Sequence, residues 1–376
     1  MGRGVALVYP HFREQDPIEK EKLFPPLGIA GLASQLDVEG IPVSVHDCTF
    51  LSFDEAVQEI AVREPRIVGI YAMITMSRHA VSLLHELRTL LPDCLFLCGG
   101  PLPTLYPERF VGEFDLVLRG ECDTSLPRFC REFFDSGVSP DELTYLKSLD
   151  SFPGMYLRTG TGIVDNPPVN NPSSILETLP LPDRSRFDHE RYQQFWQENY
   201  GYSITSIMIT RGCPYTCDFC SKPIWGSMFR KPPLERVFAE ISDIRRYGYD
   251  RIWIADDSFT LDNDYLREFC ERMISLKVPV HWHCLSRVDR ITPEIATLMY
   301  RAGCRKVYLG LESGNNQTLK LMGKKTTVEA GVRAVHLFRD AGIGTSGFFL
   351  VGYPGESRES IGQTLALVSS LPLDEV

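Results

Sequence analysis

Cys213, Cys217 and Cys220 form a C-x3-C-x2-C array within residues 210–221, and no other three cysteines in the 376-residue chain cluster so closely. Three thiolates at this spacing can ligate three corners of an iron–sulfur cube. The usual fourth cysteine is missing from the array, which leaves one iron open to a non-protein ligand. Zinc is the alternative. Structural zinc sites, however, are closed by four Cys or His ligands, and the flanking histidines, His189 and His281, are far from finger spacing. A disulfide framework fits poorly. The eleven cysteines are odd in number and mostly single in apolar stretches, as expected of buried thiols in a reducing compartment.

The array needs an element to carry it. The apolar, β-branched run 204–209 predicts a strand whose tip becomes the cysteine loop. Further strands are predicted at 251–255, 280–285, 306–311 and 345–351, with helices at 234–247, 264–276, 293–301, 327–341 and 357–370. Pro293 suits a first helical turn with Thr292 as cap. Repeated β–α units of this kind predict a partial (β/α) barrel, with its chemistry at the carboxyl ends of the strands. Those ends are polar: Asp256-Asp257, Arg287, Glu312-Ser313, and Gly352 in the last loop. Five strands are visible, and the series stops at residues 373–376, where a sixth is expected to begin. The barrel is therefore expected to be truncated.

The first half repeats the α/β pattern. Strands are predicted at 5–9, 43–47, 67–72, 94–98 and 116–118, and helices at 27–39, 54–63, 77–91, 105–111 and 125–136. This predicts a doubly wound parallel sheet. The loops after its strands hold Thr75 and Ser77, then Gly99-Gly100, then Gly120-Glu121, and no G-x-G-x-x-G follows the first strand. Ligands of such sheets bind beyond these carboxyl ends. Between the halves, prolines 153, 167, 168, 172, 180 and 182 disfavour regular elements. A short hairpin around residues 159–161 and an ordered aromatic linker are expected there. The expected domains are 1–137, a connector 138–202, and 203–376.

The array, with Phe219 just before its last cysteine, resembles the signature of the radical S-adenosylmethionine (SAM) enzymes. The upstream loops, together with residues 22–28, resemble the cobalamin (B12)-binding domain that precedes many radical SAM domains. The resemblance implies a flavodoxin-like, B12-binding sheet followed by a radical SAM barrel. It implies a [4Fe-4S] cluster on Cys213, Cys217 and Cys220, with SAM chelating the open iron. Asp256 and Asp257 would meet the SAM ammonium, and Arg287 its carboxylate. Glu312 and Ser313 would lie near the ribose and methionine, Gly352 near the adenine, and Phe219 at the cofactor. Thr75, Ser77, Gly99 and Gly100 would line the cobalamin tail, with Gly120 and Glu121 at the edge of that site. The D-x-H-x-x-G motif of the histidine-ligating branch is absent, so cobalamin is expected without a histidine lower ligand. His11 and His46 lack that motif's context.

By the same resemblance the activity is methylation of an unactivated carbon or phosphorus centre of a small molecule, through methylcobalamin and a 5′-deoxyadenosyl radical. The alternatives are a tetrapyrrole-type oxidative cyclase and a non-catalytic cobalamin or iron–sulfur sensor. A methylthiotransferase would need a second cluster, and Cys94 and Cys98 lie along one predicted strand. A reductant such as flavodoxin or ferredoxin is the expected partner. A net charge of -10 argues against a nucleic-acid ligand held mainly by charge. No apolar run reaches the roughly 20 residues of a membrane span, and the N-terminus lacks a signal-peptide layout, so the expected location is cytoplasmic.

Overall fold

The computed structural model describes residues 4–13, 22–145, 151–222 and 224–376. Two compact units are present, one formed by residues 1–195 with 223–226, the other by 196–222 with 227–376.

In chain order, the first unit begins β1 (Val5–Tyr9), α1 (Leu27–Val38), β2 (Val43–Asp47), α2 (Phe53–Ala61), β3 (Ile67–Tyr71) and α3 (Ser77–Leu90). It continues β4 (Leu95–Gly99), α4 (Pro101–Leu105), β5 (Leu116–Leu118), α5 (Ser125–Ser136), β6 (Met155–Thr159), β7 (Gly162–Asp165) and α6 (Ser173–Thr178). The strand order is β2-β1-β3-β4-β5-β6-β7, parallel up to β5 and closed by an antiparallel hairpin. Side-chain alternation makes two cores. Val5 and Leu7 join Ile29, Leu36, Phe129 and Phe133 on one face, while Ala6 and Val8 join Ile60, Leu83 and Leu87 on the other. The α5 helix ends at Gly137, whose φ of +68° suits a left-handed stop.

The expected connector, 138–202, carries defined elements. Its hairpin pairs with β5 at the edge of the first sheet. Its aromatic stretch is a helix, α7 (His189–Tyr200), and the boundary between the units falls within that helix, after Phe195. The Tyr192 hydroxyl donates to the Asp47 carboxylate at 2.6 Å and lies 3.0 Å from the Thr49 hydroxyl. The hydrogen-bonding tip of a buried aromatic thereby finds partners.

The second unit runs β8 (Ile204–Ile207), α8 (Leu234–Arg246), β9 (Arg251–Ile254), α9 (Asn263–Ser275), β10 (His281–Ser286) and α10 (Pro293–Arg301). It continues β11 (Cys304–Glu312), α11 (Asn316–Leu321), α12 (Val328–Asp340), β12 (Gly344–Phe349) and α13 (Arg358–Ser370). The five strands are parallel and adjacent in chain order. Residue Glu375 forms a parallel bridge with Ser346 beyond β12. The helices cover one face of the sheet through a core that includes Ile252, Ile254, Val307, Leu309 and Phe338. Trp282 anchors that core, its indole N–H donating to the Ala302 carbonyl at 2.9 Å. Thr292 caps α10 by accepting from the Ile295 N–H, with Pro293 in the first turn. Among the described residues, no helix is long and apolar enough to cross a membrane.

Candidate functional site

The cysteine loop leaves β8 at the carboxyl edge of the second sheet and is held there by backbone bonding. Asp256, just past β9, is buried, and its two carboxylate oxygens accept three bonds. The donors are the Ile209 N–H (2.7 Å), the Thr210 N–H (2.9 Å) and the Thr210 hydroxyl (2.7 Å). Asp256 thus ties the carboxyl end of β9 to the entrance of the loop. Burial pushes its carboxyl up to about 7, against the pull of those donors. Asp257 is exposed. Burial raises its carboxyl as well, and the Lys222 ammonium and a bond from the Gly212 backbone oppose the rise.

The far side of the loop rests on the turn after α11. The Asp218 N–H donates to the Met322 carbonyl at 3.0 Å. Gly323 has φ +63°, and a Cβ there would stand 3.0 Å from the Thr216 carbonyl oxygen, so the close approach requires glycine. Arg287 is buried, paired with Asp289 at 2.9 Å, stacked over the Tyr215 ring at 3.5 Å and bonded to the Lys324 carbonyl at 2.8 Å. The side chain predicted to meet a ligand carboxylate is therefore also a staple between the loop and the 322–324 turn.

Glu312 and Lys324 form a buried ion pair, Nζ to Oε1, at 2.6 Å. Glu312 adopts φ +63° beside a register shift in β11, and such strain clusters at functional sites. Lys324 also sits 5.6 Å from the Phe219 ring centroid, and that ring is 37% exposed. Ser313 lies 3.1 Å from the Thr364 hydroxyl and accepts from the Asn315 N–H at 3.2 Å, so it secures α13 against the strand tail. Gly352 is exposed with φ +86°, its N–H donating to Glu356 at 2.7 Å, and the space where its Cβ would stand is open. Cys213, Cys217, Phe219, Asp257, Glu312 and Arg287 thus share one end of the unit, and Asp256 and Ser313 brace it from below. Lys222, Tyr215 and Lys324 were not singled out by the sequence. The basic residues right after the last cysteine and after Gly323 were the available signal.

The donor set suits a cluster. Cys213 and Cys217 are partly exposed and Cys220 is exposed, whereas Cys122 is partly exposed and the other seven cysteines are buried. Partial burial raises the Cys220 thiol, and the Lys222 backbone and ammonium oppose that rise. Among the described residues, no three His, Cys, Asp or Glu side chains are gathered to hold a single metal ion. On the sheet face away from the helices, Trp253 meets Tyr308 edge-on at 4.8 Å and Tyr308 stacks on Phe348 at 6.0 Å, which gives an aromatic wall below the strand tails.

In the first unit, the 2-1-3-4-5 order puts the topological switch point between β1 and β3, where doubly wound sheets bind ligands. Tyr9 and Tyr71 stand at the tips of those strands, 5.5 Å apart, followed by Ile74, 76% exposed, and exposed Thr75. Ser77 turns back to donate to the Ile74 carbonyl at 3.3 Å. The Thr104 hydroxyl donates to the Gly100 carbonyl and accepts from the Gly120 N–H, which joins two of the glycine loops. A Cβ on Gly100 would stand 2.7 Å from the Ala72 oxygen, and one on Gly120 2.8 Å from Pro168. The glycines at 100 and 120 therefore let loops approach each other, whereas Gly99 meets only the Leu118 oxygen, at 3.3 Å. Glu121 is buried beside this edge. The crevice offers apolar and hydroxyl groups of the kind a corrin ring and its nucleotide tail require. Both nitrogens of His46 are engaged, by Ser44 and Glu59 at 2.9 Å each.

Comparison with known proteins follows this division. Residues 207–368 match the model of the radical SAM superfamily, and residues 19–129 match that of the B12 binding domain. The chain is 28% identical over 359 residues to an uncharacterized methyltransferase of Pyrococcus horikoshii, covering 93% of this chain and 74% of the relative. It is 27% identical over 353 residues to the anaerobic magnesium-protoporphyrin IX monomethyl ester cyclase of Rubrivivax gelatinosus, covering 91% of this chain and 61% of the relative. Among solved structures, the radical SAM methyltransferase TsrM of Kitasatospora setae, with cobalamin and a [4Fe-4S] cluster bound, superposes with a TM-score of 0.81. Its identity is 22%, over 98% of this chain and 70% of that one. This likeness carries the fold.

Proposed function

Because the chain belongs to the radical SAM enzymes that carry a B12-binding domain, we propose that it is a cobalamin-dependent methyltransferase acting on an unactivated carbon or phosphorus centre of a small molecule. The observation that carries the proposal is the cysteine loop at the carboxyl edge of the second sheet, facing the Glu312–Lys324 pair and Asp257, in a chain whose first sheet has the B12-type strand order. When bound, the cluster and SAM supply a carbon-centred radical and cobalamin supplies a methyl carrier, so the hard chemistry belongs to the cofactors.

The chain's own residues hold and orient. Cys213, Cys217 and Cys220 would ligate the cluster as thiolates. Asp257 and Glu312, acids at the carboxyl ends of β9 and β11 on either side of β10, suit the SAM ammonium and ribose. Asp256 and Arg287 act through the backbone, fixing the loop's entrance and its far side. Gly352, with open space over its Cα, admits a flat ring such as adenine. In the first unit Ile74, Thr75 and Gly99 suit a corrin and its tail, with Ser77, Gly100, Gly120 and Glu121 shaping the loops around them. The wall of Trp253, Tyr308 and Phe348 favours a substrate with an apolar or flat portion, since ring contacts add to area burial.

The likeness to a magnesium-protoporphyrin ester cyclase supports a second reading, oxidative ring closure on a tetrapyrrole with the same cofactors. A flavodoxin- or ferredoxin-type reductant would serve either. Anaerobically reconstituted full chain, given SAM, hydroxocobalamin and a reductant, separates the readings. Formation of S-adenosylhomocysteine alongside 5′-deoxyadenosine supports methyl transfer. Formation of 5′-deoxyadenosine alone, with a porphyrin ester consumed, supports cyclisation. Cleavage of no SAM at all would leave a sensor.

A further inference from the structure

Lys222 is two positions past the last cysteine of the loop and folds back over it. Its ammonium donates to the Cys213 carbonyl at 2.9 Å and also to the Tyr215 carbonyl. Its backbone takes φ +39°, inside the left-handed region that ordinary side chains rarely enter. A flexible lysine held in strained backbone by two loop carbonyls is a fixed charge. Its charge also acts on Cys220 and Asp257. Asp257 is the acid set against it.

We propose that Lys222 is a positioning residue for the iron–sulfur cluster. It staples the first turn of the cysteine loop, and its positive charge, held against that turn, keeps the cluster's reduction potential high enough for a physiological donor. The proposal rests on reading Cys213, Cys217 and Cys220 as the cluster's ligands. In the redox step, one electron passes from a reduced flavodoxin- or ferredoxin-type donor to the cluster, and no bond forms or breaks. Reduction adds one negative charge to a group that already carries three thiolates. A cation a few ångströms away therefore stabilises the reduced form more than the oxidised one. Net charge and hydrogen bonding are known levers on cluster potential.

The test compares full-length, anaerobically reconstituted wild type, Lys222→Gln and Lys222→Arg. Gln keeps a donor for the Cys213 carbonyl but no charge, whereas Arg keeps both. The readouts are iron content and the potential of the cluster's visible absorbance during titration with mediators. The expected result is a Gln variant whose reduction equilibrium shifts about tenfold toward the oxidised form, a fall of about 59 mV, with Arg near wild type. A Gln variant that loses iron while Arg retains it supports the same role. A Gln potential within about threefold of wild type, less than about 30 mV, overturns the proposal, as does iron loss in both variants. A wild type that takes up no cluster overturns the ligand assignment itself, and is recognised before any variant is compared.

Discussion

The buried pair Glu312–Lys324 gives the account its most quantitative handle. The two side chains are only 7% and 9% exposed, and their charged atoms meet at 2.6 Å. Gly310 leaves the space for them, since a Cβ there would stand 2.4 Å from the Glu312 Oε1 and 2.6 Å from the Lys324 Nζ. Lys324→Met keeps the apolar stem and removes the charge. The Glu312 carboxylate is then buried without its counter-ion, a change that typically costs about 3–5 kcal/mol. An exposed pair would cost about 0–1 kcal/mol. Pairing Lys324→Met with Glu312→Gln removes both charges and should recover about half the loss or more, because buried pairs roughly break even against neutral replacements. Unfolding of the metal-free chain in urea, followed by tryptophan fluorescence, reads this directly. Three of the four tryptophans, Trp196, Trp253 and Trp282, lie in the second unit. A single-variant cost within about 1 kcal/mol, or a double variant no better than the single, would refute the argument that this pair is a buried, coupled unit.

Other expectations follow from the same geometry. Cys213→Ala, Cys217→Ala and Cys220→Ala should each abolish the cluster's charge-transfer absorbance after reconstitution, and full iron content in all three would remove the ligand assignment. Burial pushes Asp256 up to about 7, so the folded chain holds a proton that the unfolded chain, with an ordinary value near 3.9, releases. This contribution to stability is complete below about pH 4 and is lost as pH rises through 7, with a slope of at most about 1.4 kcal/mol per unit. Asp256→Asn should lack that slope in urea unfolding of the metal-free chain, and an unchanged slope would assign it to another group. Ile74→Ser should weaken hydroxocobalamin uptake about tenfold, by removing roughly 1.5 kcal/mol of apolar contact, and should leave iron content alone. Unaltered uptake would move the corrin site away from the β1–β3 crevice.

The strands were legible because each is a short apolar run bounded by turn residues. Predicted runs at 5–9, 43–47 and 116–118 coincide with β1, β2 and β5. The helix α7 was not read, although Tyr192, Phe195 and Trp196 recur at helical spacing. Its aromatic content and the proline-rich stretch before it masked the pattern. The hairpin β6–β7 was seen as a local feature, but nothing local says that it adds to the first sheet, since pairing with β5 is a long-range event. At the site, residue types at strand ends were readable because chemistry needs charge there. What each charge touches was not. Asp256 bonds to backbone 46 and 47 residues earlier in the chain, and Glu312 selects Lys324 across a helix and a turn. The glycines at 100 and 120 illustrate the same limit. Their types signalled close approach, and only the fold identifies the approaching group as another loop.

The central claim is that the loop of Cys213, Cys217 and Cys220 holds a cluster that cleaves SAM reductively. Its most direct test is anaerobic reconstitution of the full chain, with iron quantified and 5′-deoxyadenosine measured after addition of SAM and dithionite. The account predicts about four irons per chain and 5′-deoxyadenosine from wild type, with both lost in the triple Cys→Ala variant. A wild type that binds its iron yet forms no 5′-deoxyadenosine, or a triple variant that still forms it, would contradict the account.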